Sequence, residues 1–166
     1  LGTMVCKLVD SDDPEIEELL AELEDLRADL QVAVAEDAES FARVLDAQAL
    51  PETTEAEQFA RQNAIEETTK SALAVPLRVA EAALQAMELL SELSEMGDAA
   101  MFPELPTGAQ LALATMRGAY YNVCASLDAI GDADFTQARR GDVEEMVARG
   151  QELADEIEGA FLRQQR

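Results

Sequence analysis

The stretch that most constrains this chain is "PEIEELLAELEDLRADLQVAVAEDAESFARVLDAQAL", which starts at Pro14. Its apolar residues Ile16, Leu19, Leu20, Leu23, Leu26, Leu30, Val34, Phe41, Val44 and Leu45 recur at spacings of three and four. That period places them on one face of an α-helix, and a strand would scatter them over both faces of a sheet. The ends carry matching signals. "DSDDP" puts carboxylates and a proline at the positive helix start, and Pro51 in "LPETT" cannot continue the hydrogen-bond ladder. The fold must therefore accommodate one long helical rod.

The remaining segments repeat this pattern. "TEAEQFARQNAIEETTKSALAVPLRVAEAALQAMELLSELSEMG" carries Phe59, Ala60, Ile65, Val75, Val79, Ala83, Met87, Leu90 and Leu93 at helical spacing. Pro76 interrupts it, which predicts two helices or one kinked helix, with Gly97 as the stop. "TGAQLALATMRGAYYNVCASLDAIG" has Arg117 as its one charge between Thr107 and Leu127, so it reads as a helix apolar nearly all round and hence central. Its Gly118 and many alanines would let neighbours approach closely. Thr107, with Gln110 three residues on, reads as the N-cap of that helix in a capping box. "DVEEMVARGQELADEIEGAFLRQQR" closes the chain as an amphipathic helix through Val143, Met146, Val147, Gly150, Leu153, Ile157 and Phe161. No strand-like alternation competes. The expected fold is all-α, an antiparallel bundle of about five helices with a buried central helix, forming one domain over residues 1–166. A chain of 166 residues is long enough for a real core, and with aromatics at 4% and no Trp, Ala and Leu must build it.

Charge narrows the partners. Asp and Glu number 35 against 12 Lys and Arg, a net charge of -23 that repels nucleic acid and anionic lipid. The acidity fits either solvated helix faces or adaptation to high salt, which screens self-repulsion. No histidine is present, so acid-base work falls to carboxylates, Lys, Tyr, Cys or bound water. Cys6 and Cys124 lie in apolar helical runs and read as free thiols in a reducing compartment rather than a disulfide. No apolar run long enough for a membrane span and no signal peptide is visible, so neither nucleic acid nor membrane is an expected partner, and a cytoplasmic location is expected. The opening "LGTMVCKLV" has no capping residue before it, as if a helix began upstream.

Candidate functional residues are polar groups on apolar stripes. Asp37 falls in the line Leu30, Val34, Asp37, Phe41, Val44, either bonded structurally at a helix end or rim, or serving as a pocket carboxylate and general base. Asn122 and Ser126 lie one turn apart on the apolar helix; a buried amide there bonds either another backbone or a ligand. Lys7 sits at the end of the first helix, where it is either solvated or holds an anion. Nothing matches a phosphate loop, a zinc cluster or a nucleophile triad, and neither metal nor resident cofactor is expected.

Four stretches in order resemble the formiminotetrahydrofolate cyclodeaminase and methenyltetrahydrofolate cyclohydrolase family. "LGTMVCKL" is similar to that family's "LGAMVxNL". "EDAESFARVLDAQALPETTEAE" resembles its "xDAxAFxxVMxAYxLPxxTxEE" at Asp37, Phe41, Val44, Ala47, Leu50, Pro51 and Thr54. "ALAVPLRVA" is similar to its "ATKxPLxVA" at Val75 to Leu77, and "GAYYNVCASL" to "GAxxNVxxNL" at Gly118, Ala119, Asn122, Val123 and Leu127. The chain departs from the family pattern at five places. "SDDPE" replaces a Lys-rich turn, Lys7 replaces an Asn before it, Ser126 replaces a second Asn, Gln48 replaces a Tyr, and the 97–108 loop offers Asp98, Glu104 and Thr107 where the family has "GNxNxxSD". The family's Gly-Gly-Ser motif would lie upstream of Leu1.

The resemblance implies a homodimer and a folate site between helices, with a tetrahydrofolate derivative as substrate rather than cofactor. Water would attack the amidinium carbon of the one-carbon bridge, or ring closure would release ammonia. Asp37 would then stabilise the bridge's positive charge or act as base, Asn122 would contact the substrate, and Lys7 and Arg117 are the cations for its anionic glutamyl tail. The alternative is a catalytically silent relative that binds folate or serves as a helical dimeric interaction module.

Overall fold

The structure, a computed structural model, describes residues 1–9, 13–96 and 102–166. It contains six helices and, among the described residues, no strand: α1 Gly2–Leu8, α2 Pro14–Gln48, α3 Glu55–Ala72, α4 Ala74–Glu95, α5 Glu104–Leu127 and α6 Ala133–Gln164. Five are long and one is a single short segment, and together they form the expected all-α bundle. The expected stop at Gly97, the Ser11–Asp12 part of the acidic turn and Asp98 lie outside the described residues.

Local chemistry explains most boundaries. Asp13 caps α2 by accepting from the Glu15 N–H at 3.0 Å, with Pro14 at the first helical position where no N–H is needed. Thr54 and Glu57 form a reciprocal capping box at the start of α3, at 3.2 and 2.9 Å. Pro76 resolves its interruption into two helices. It has no N–H for the Ala72 carbonyl, and its ring crowds that group, so α3 ends at Ala72 and α4 restarts after Leu73 with Pro76 in its first turn.

The start of α5 differs from the expectation. The helix begins at Glu104, and Thr107 lies inside it, donating its hydroxyl to the Pro103 carbonyl at 2.8 Å instead of capping. Pro106 falls in the first turn, where its missing N–H removes no helical bond, so the helix can begin before Thr107.

The enclosed helix is α4, which packs against α2, α5 and α6 and buries Ala80, Ala83, Met87, Leu89, Leu90 and Leu93. α5 buries one stripe, Leu105, Ala109, Leu113, Met116, Ala119, Val123 and Leu127. Its opposite face stays open, with Leu111 59% and Tyr121 65% exposed. The close approach expected at Gly118 occurs instead at Gly150. A Cβ on Gly118 would meet nothing within 4 Å, whereas one on Gly150 would sit 2.9 Å from Met116 Cε and 3.4 Å from Met87 Sδ, where α4, α5 and α6 converge. Within α3 only Thr69 is buried; Phe59 is 71% exposed, because this helix packs mainly along the far half of α2, beyond most of the bundle.

Candidate functional site

Two adjoining cavities of about 350 Å³ each lie between α2 and α5, floored by the first turns of α4. Asp37, Pro76 and Asn122 border both cavities and mark their junction. The outer lobe is walled by Ala33 and Val34, by Val75 and Val79, and by Thr115 and Gly118. The inner lobe is walled by Ser40, Phe41 and Gln48, by Thr69, and by Ser126.

The backbone registers explain how these residues meet. Along α2 the buried positions Ala33, Ser40 and Val44 lie on one line, and Asp37 falls on that line between Ala33 and Ser40. It is nonetheless exposed, because the groove opens in front of it. The sequence placed Val34 and Phe41 on the core stripe too, but they are 73% and 60% exposed and form the rim. They are one position off the buried line, which a spacing of three or four does not resolve. On α5, Thr115, Gly118, Asn122 and Ser126 follow one another at three or four residues and line the opposite wall. Pro76 places a ring at the floor where an ordinary residue would extend the ladder from α3.

Charge around the groove is arranged unevenly. Glu24 of α2 pairs with Lys7 at 3.3 Å and Arg27 at 2.8 Å, and Glu36 pairs with Arg78. Asp37 has no ion-pair partner among the described residues, so its carboxylate faces the groove with its negative charge uncompensated. The cations named from the sequence lie elsewhere. Lys7 is held against Glu24, and Arg117 donates to Gln151 Oε1 of α6 at 2.6 Å; neither lines the cavities that Asp37 and Asn122 share.

Other contributors were not legible in advance. Ser40 is 3% exposed and donates its hydroxyl to the Asp37 carbonyl at 2.9 Å, bracing the helix turn that presents the carboxylate. At the inner end, Lys70 links α3 to the start of α6. Its ammonium pairs with Glu66 at 2.9 Å and Asp132 at 3.1 Å and lies 5.3 Å from the centre of the Phe135 ring. Hydrogen bonds to Glu66 and then Asp132 push the Lys70 pKa up, while the Phe135 backbone N–H and then Lys70 hold Asp132 below the usual carboxylate range. Neither Cys6, which is buried, nor Cys124, which is half-buried, forms a disulfide. Arg140 donates to the Cys124 sulfur at 3.2 Å. No helix among the described residues is long and apolar enough to cross a membrane.

A family model described as formiminotransferase-cyclodeaminase matches residues 1–145. The chain is similar to methenyltetrahydrofolate cyclohydrolase of Methylorubrum extorquens, with 28% identity over 163 residues, covering 95% of this chain and 78% of that protein. It is similar to formimidoyltransferase-cyclodeaminase of Rattus norvegicus, with 31% identity over 134 residues, 81% of this chain but 25% of that protein. The chain thus spans about a quarter of the length of the rat relative. Its fold matches the crystal structure of formiminotetrahydrofolate cyclodeaminase from Thermotoga maritima, with a TM-score of 0.78, 22% identity, and coverage of 96% of this chain and 82% of that one.

Proposed function

The chain belongs to the formiminotransferase-cyclodeaminase family, and from that premise we propose that it is a folate one-carbon enzyme acting at the C–N bonds of a tetrahydrofolate bridge. The observation that carries this reading is the placement of Asp37 and Asn122 on the same two cavities, at their junction. A bridged tetrahydrofolate has two ring systems joined by a methylene, with its one-carbon unit spanning N5 and N10 at that joint. Two lobes meeting at a carboxylate suit that shape, with the bridge at the junction and one ring system in each lobe.

The chemistry follows from charge. The methenyl bridge is an amidinium cation, and the unpaired Asp37 carboxylate stabilises it electrostatically and accepts a proton as water adds to the bridge carbon; one bridge C–N bond then breaks, its nitrogen taking a proton back from Asp37, and the carbon is left as a formyl group on the other nitrogen. For the formimino substrate the same carboxylate handles the proton as the ring closes and ammonia departs. Asn122 orients the bridge or the water from the α5 wall through its amide. The anionic glutamyl tail leaves past Gly118 towards solvent; Arg117, which donates to Gln151, and Lys7, paired with Glu24, would have to leave those partners to meet it. No metal or resident cofactor takes part in this scheme. A second copy of the chain, as the family resemblance implies, would cover the exposed rim residues Val34 and Phe41. Light scattering after gel filtration tests that assembly.

The enzymatic test is direct. Purified protein is assayed for methenyltetrahydrofolate hydrolysis and for ammonia release from the formimino compound, and rates equal to buffer in both would refute the proposal. Asp37→Asn should lower turnover about a hundredfold or more, the scale of a lost general base, and leave helicity unchanged. A fall in helicity would assign Asp37 a structural role instead.

A further inference from the structure

We propose that Thr69 is a substrate-binding residue, its hydroxyl hydrogen-bonding the polar edge of a fused nitrogen heterocycle held in the inner lobe; this rests on the folate reading above. Thr69 is 5% exposed and lines that lobe, and its Oγ1, itself closed off from solvent, has no hydrogen-bond partner among the described residues. Buried hydroxyls in folded proteins are nearly always paired, so an orphan at a cavity wall marks a position completed by something the cavity receives.

The neighbouring residue shows that the orphan is not a property of threonine in this helix. Thr68 donates its hydroxyl to the Ala64 carbonyl at 2.7 Å, the usual way a helical threonine satisfies itself. Thr69 points into the bundle instead. Lys70, pinned to Glu66 and Asp132, fixes the same turn of α3 against the start of α6 and so holds Thr69 at the wall.

The two lobes also differ in chemistry, which assigns the rings. Apart from Asp37 and Asn122 at the junction, the inner lobe sets Thr69, Gln48 and Ser126 beside Phe41 and Val44, whereas the outer one has Thr115 beside Val34, Val75 and Val79. A reduced pterin carries ring nitrogens, an amino group and a carbonyl along its edges, and a benzoyl ring carries none along its sides. The pterin therefore belongs in the inner lobe against Thr69, and the benzoyl ring in the outer lobe, with its glutamate directed towards solvent.

Thr69→Val removes the hydroxyl at nearly constant shape, and Thr69→Ser keeps it. Affinities are measured for methenyltetrahydrofolate, for a tetrahydropterin and for p-aminobenzoylglutamate, alongside thermal melting. Loss of one hydrogen bond predicts that Thr69→Val weakens methenyltetrahydrofolate and tetrahydropterin about tenfold, leaves p-aminobenzoylglutamate unchanged, and melts no lower than wild type. Thr69→Ser should bind all three like wild type. Unchanged pterin affinity in Thr69→Val, or an equal loss for all three probes with a lower melting temperature, overturns the proposal. Wild-type protein that neither binds nor converts folate removes the folate reading and this inference together. Wild-type turnover with an indifferent Thr69→Val removes this inference alone.

Discussion

Three glycines within helices test whether packing, rather than backbone preference, governs the core. Gly118, Gly141 and Gly150 occupy the interiors of α5 and α6. Replacing each by alanine gains about 0.5–1 kcal/mol from the helical backbone alone. The added methyl meets different surroundings at each site. At Gly118 and Gly141 it meets no atom within 4 Å, so the backbone gain should appear undiminished. At Gly150 it would lie 2.9 Å from Met116 Cε and 3.0 Å from Met116 Sδ, well inside ordinary contact. Met116 is fully buried, so its flexible end can move only by displacing other core atoms. Overpacking of this kind costs about 1–3 kcal/mol, and set against the backbone gain it leaves Gly150→Ala destabilised by about 1 kcal/mol. The Gly150 and Gly141 variants should thus differ by about 2 kcal/mol, which for a chain this size separates their melting temperatures by roughly 4–8 °C. Thermal unfolding followed by far-UV circular dichroism reads this difference. A Gly150→Ala protein melting at or above Gly141→Ala would refute the argument that α4, α5 and α6 converge tightly on this glycine.

Further outcomes follow from charge and burial. Asp132 and Glu57 are held below their ordinary pKa by backbone hydrogen bonds, from Phe135 and Thr54 respectively. Their stabilisation is therefore complete above about pH 4 and is lost as pH falls through the folded values, and a melting temperature dropping in that window checks it. Lys70, with its pKa raised, contributes below about pH 10.4 and loses its contribution as pH rises through the folded value, so melting should decline again on the alkaline side. Burial pushes the Cys6 thiol pKa up and encloses it, so a thiol reagent at neutral pH should label half-buried Cys124 first and Cys6 only on unfolding, as peptide mapping would reveal. With a net charge of -23, stability should rise with sodium chloride as the screening length shrinks from about 10 Å at 0.1 M to about 3 Å at 1 M, and a melting temperature indifferent to salt would contradict this.

The parts of the fold legible in the sequence were those governed by local rules. Asp13, Pro14 and Pro76 set helix ends through a hydrogen bond or a missing N–H within one turn, and the structure places those ends accordingly. Periodicity was less informative about α5, because it records which residues are apolar and not how large they are. Gly118 on its second face looked like a close-packing residue, but it lines open space. In the site, Asp37 and Asn122 stood out because each is polar on an apolar line. Thr69 did not, since a threonine in the polar α3 reads as surface until α2 and α5 are placed around it.

The change of residue size along α2 accounts for where the groove forms. Its first half buries Ile16, Leu19, Leu23 and Leu26, and its second half buries Ala33, Ser40, Val44 and Ala47. Large side chains fill the space between facing helices and shed water, which stabilises the first half by about 1.5–3 kcal/mol for each fully buried leucine or isoleucine. Small ones on α2, opposite Gly118 and Ala125 on α5, cannot fill the same separation, and a gap between the walls results. Pro76 deepens the effect by ending the helix ladder at the floor of that gap. A carboxylate at Asp37 is tolerable there because the groove leaves it in contact with solvent, whereas the same charge among the leucines of the first half would have to be paired or neutralised. The substitution of small for large residues thus both opens the site and permits the charge within it, and the stable leucine-rich half of α2 holds the other half in position.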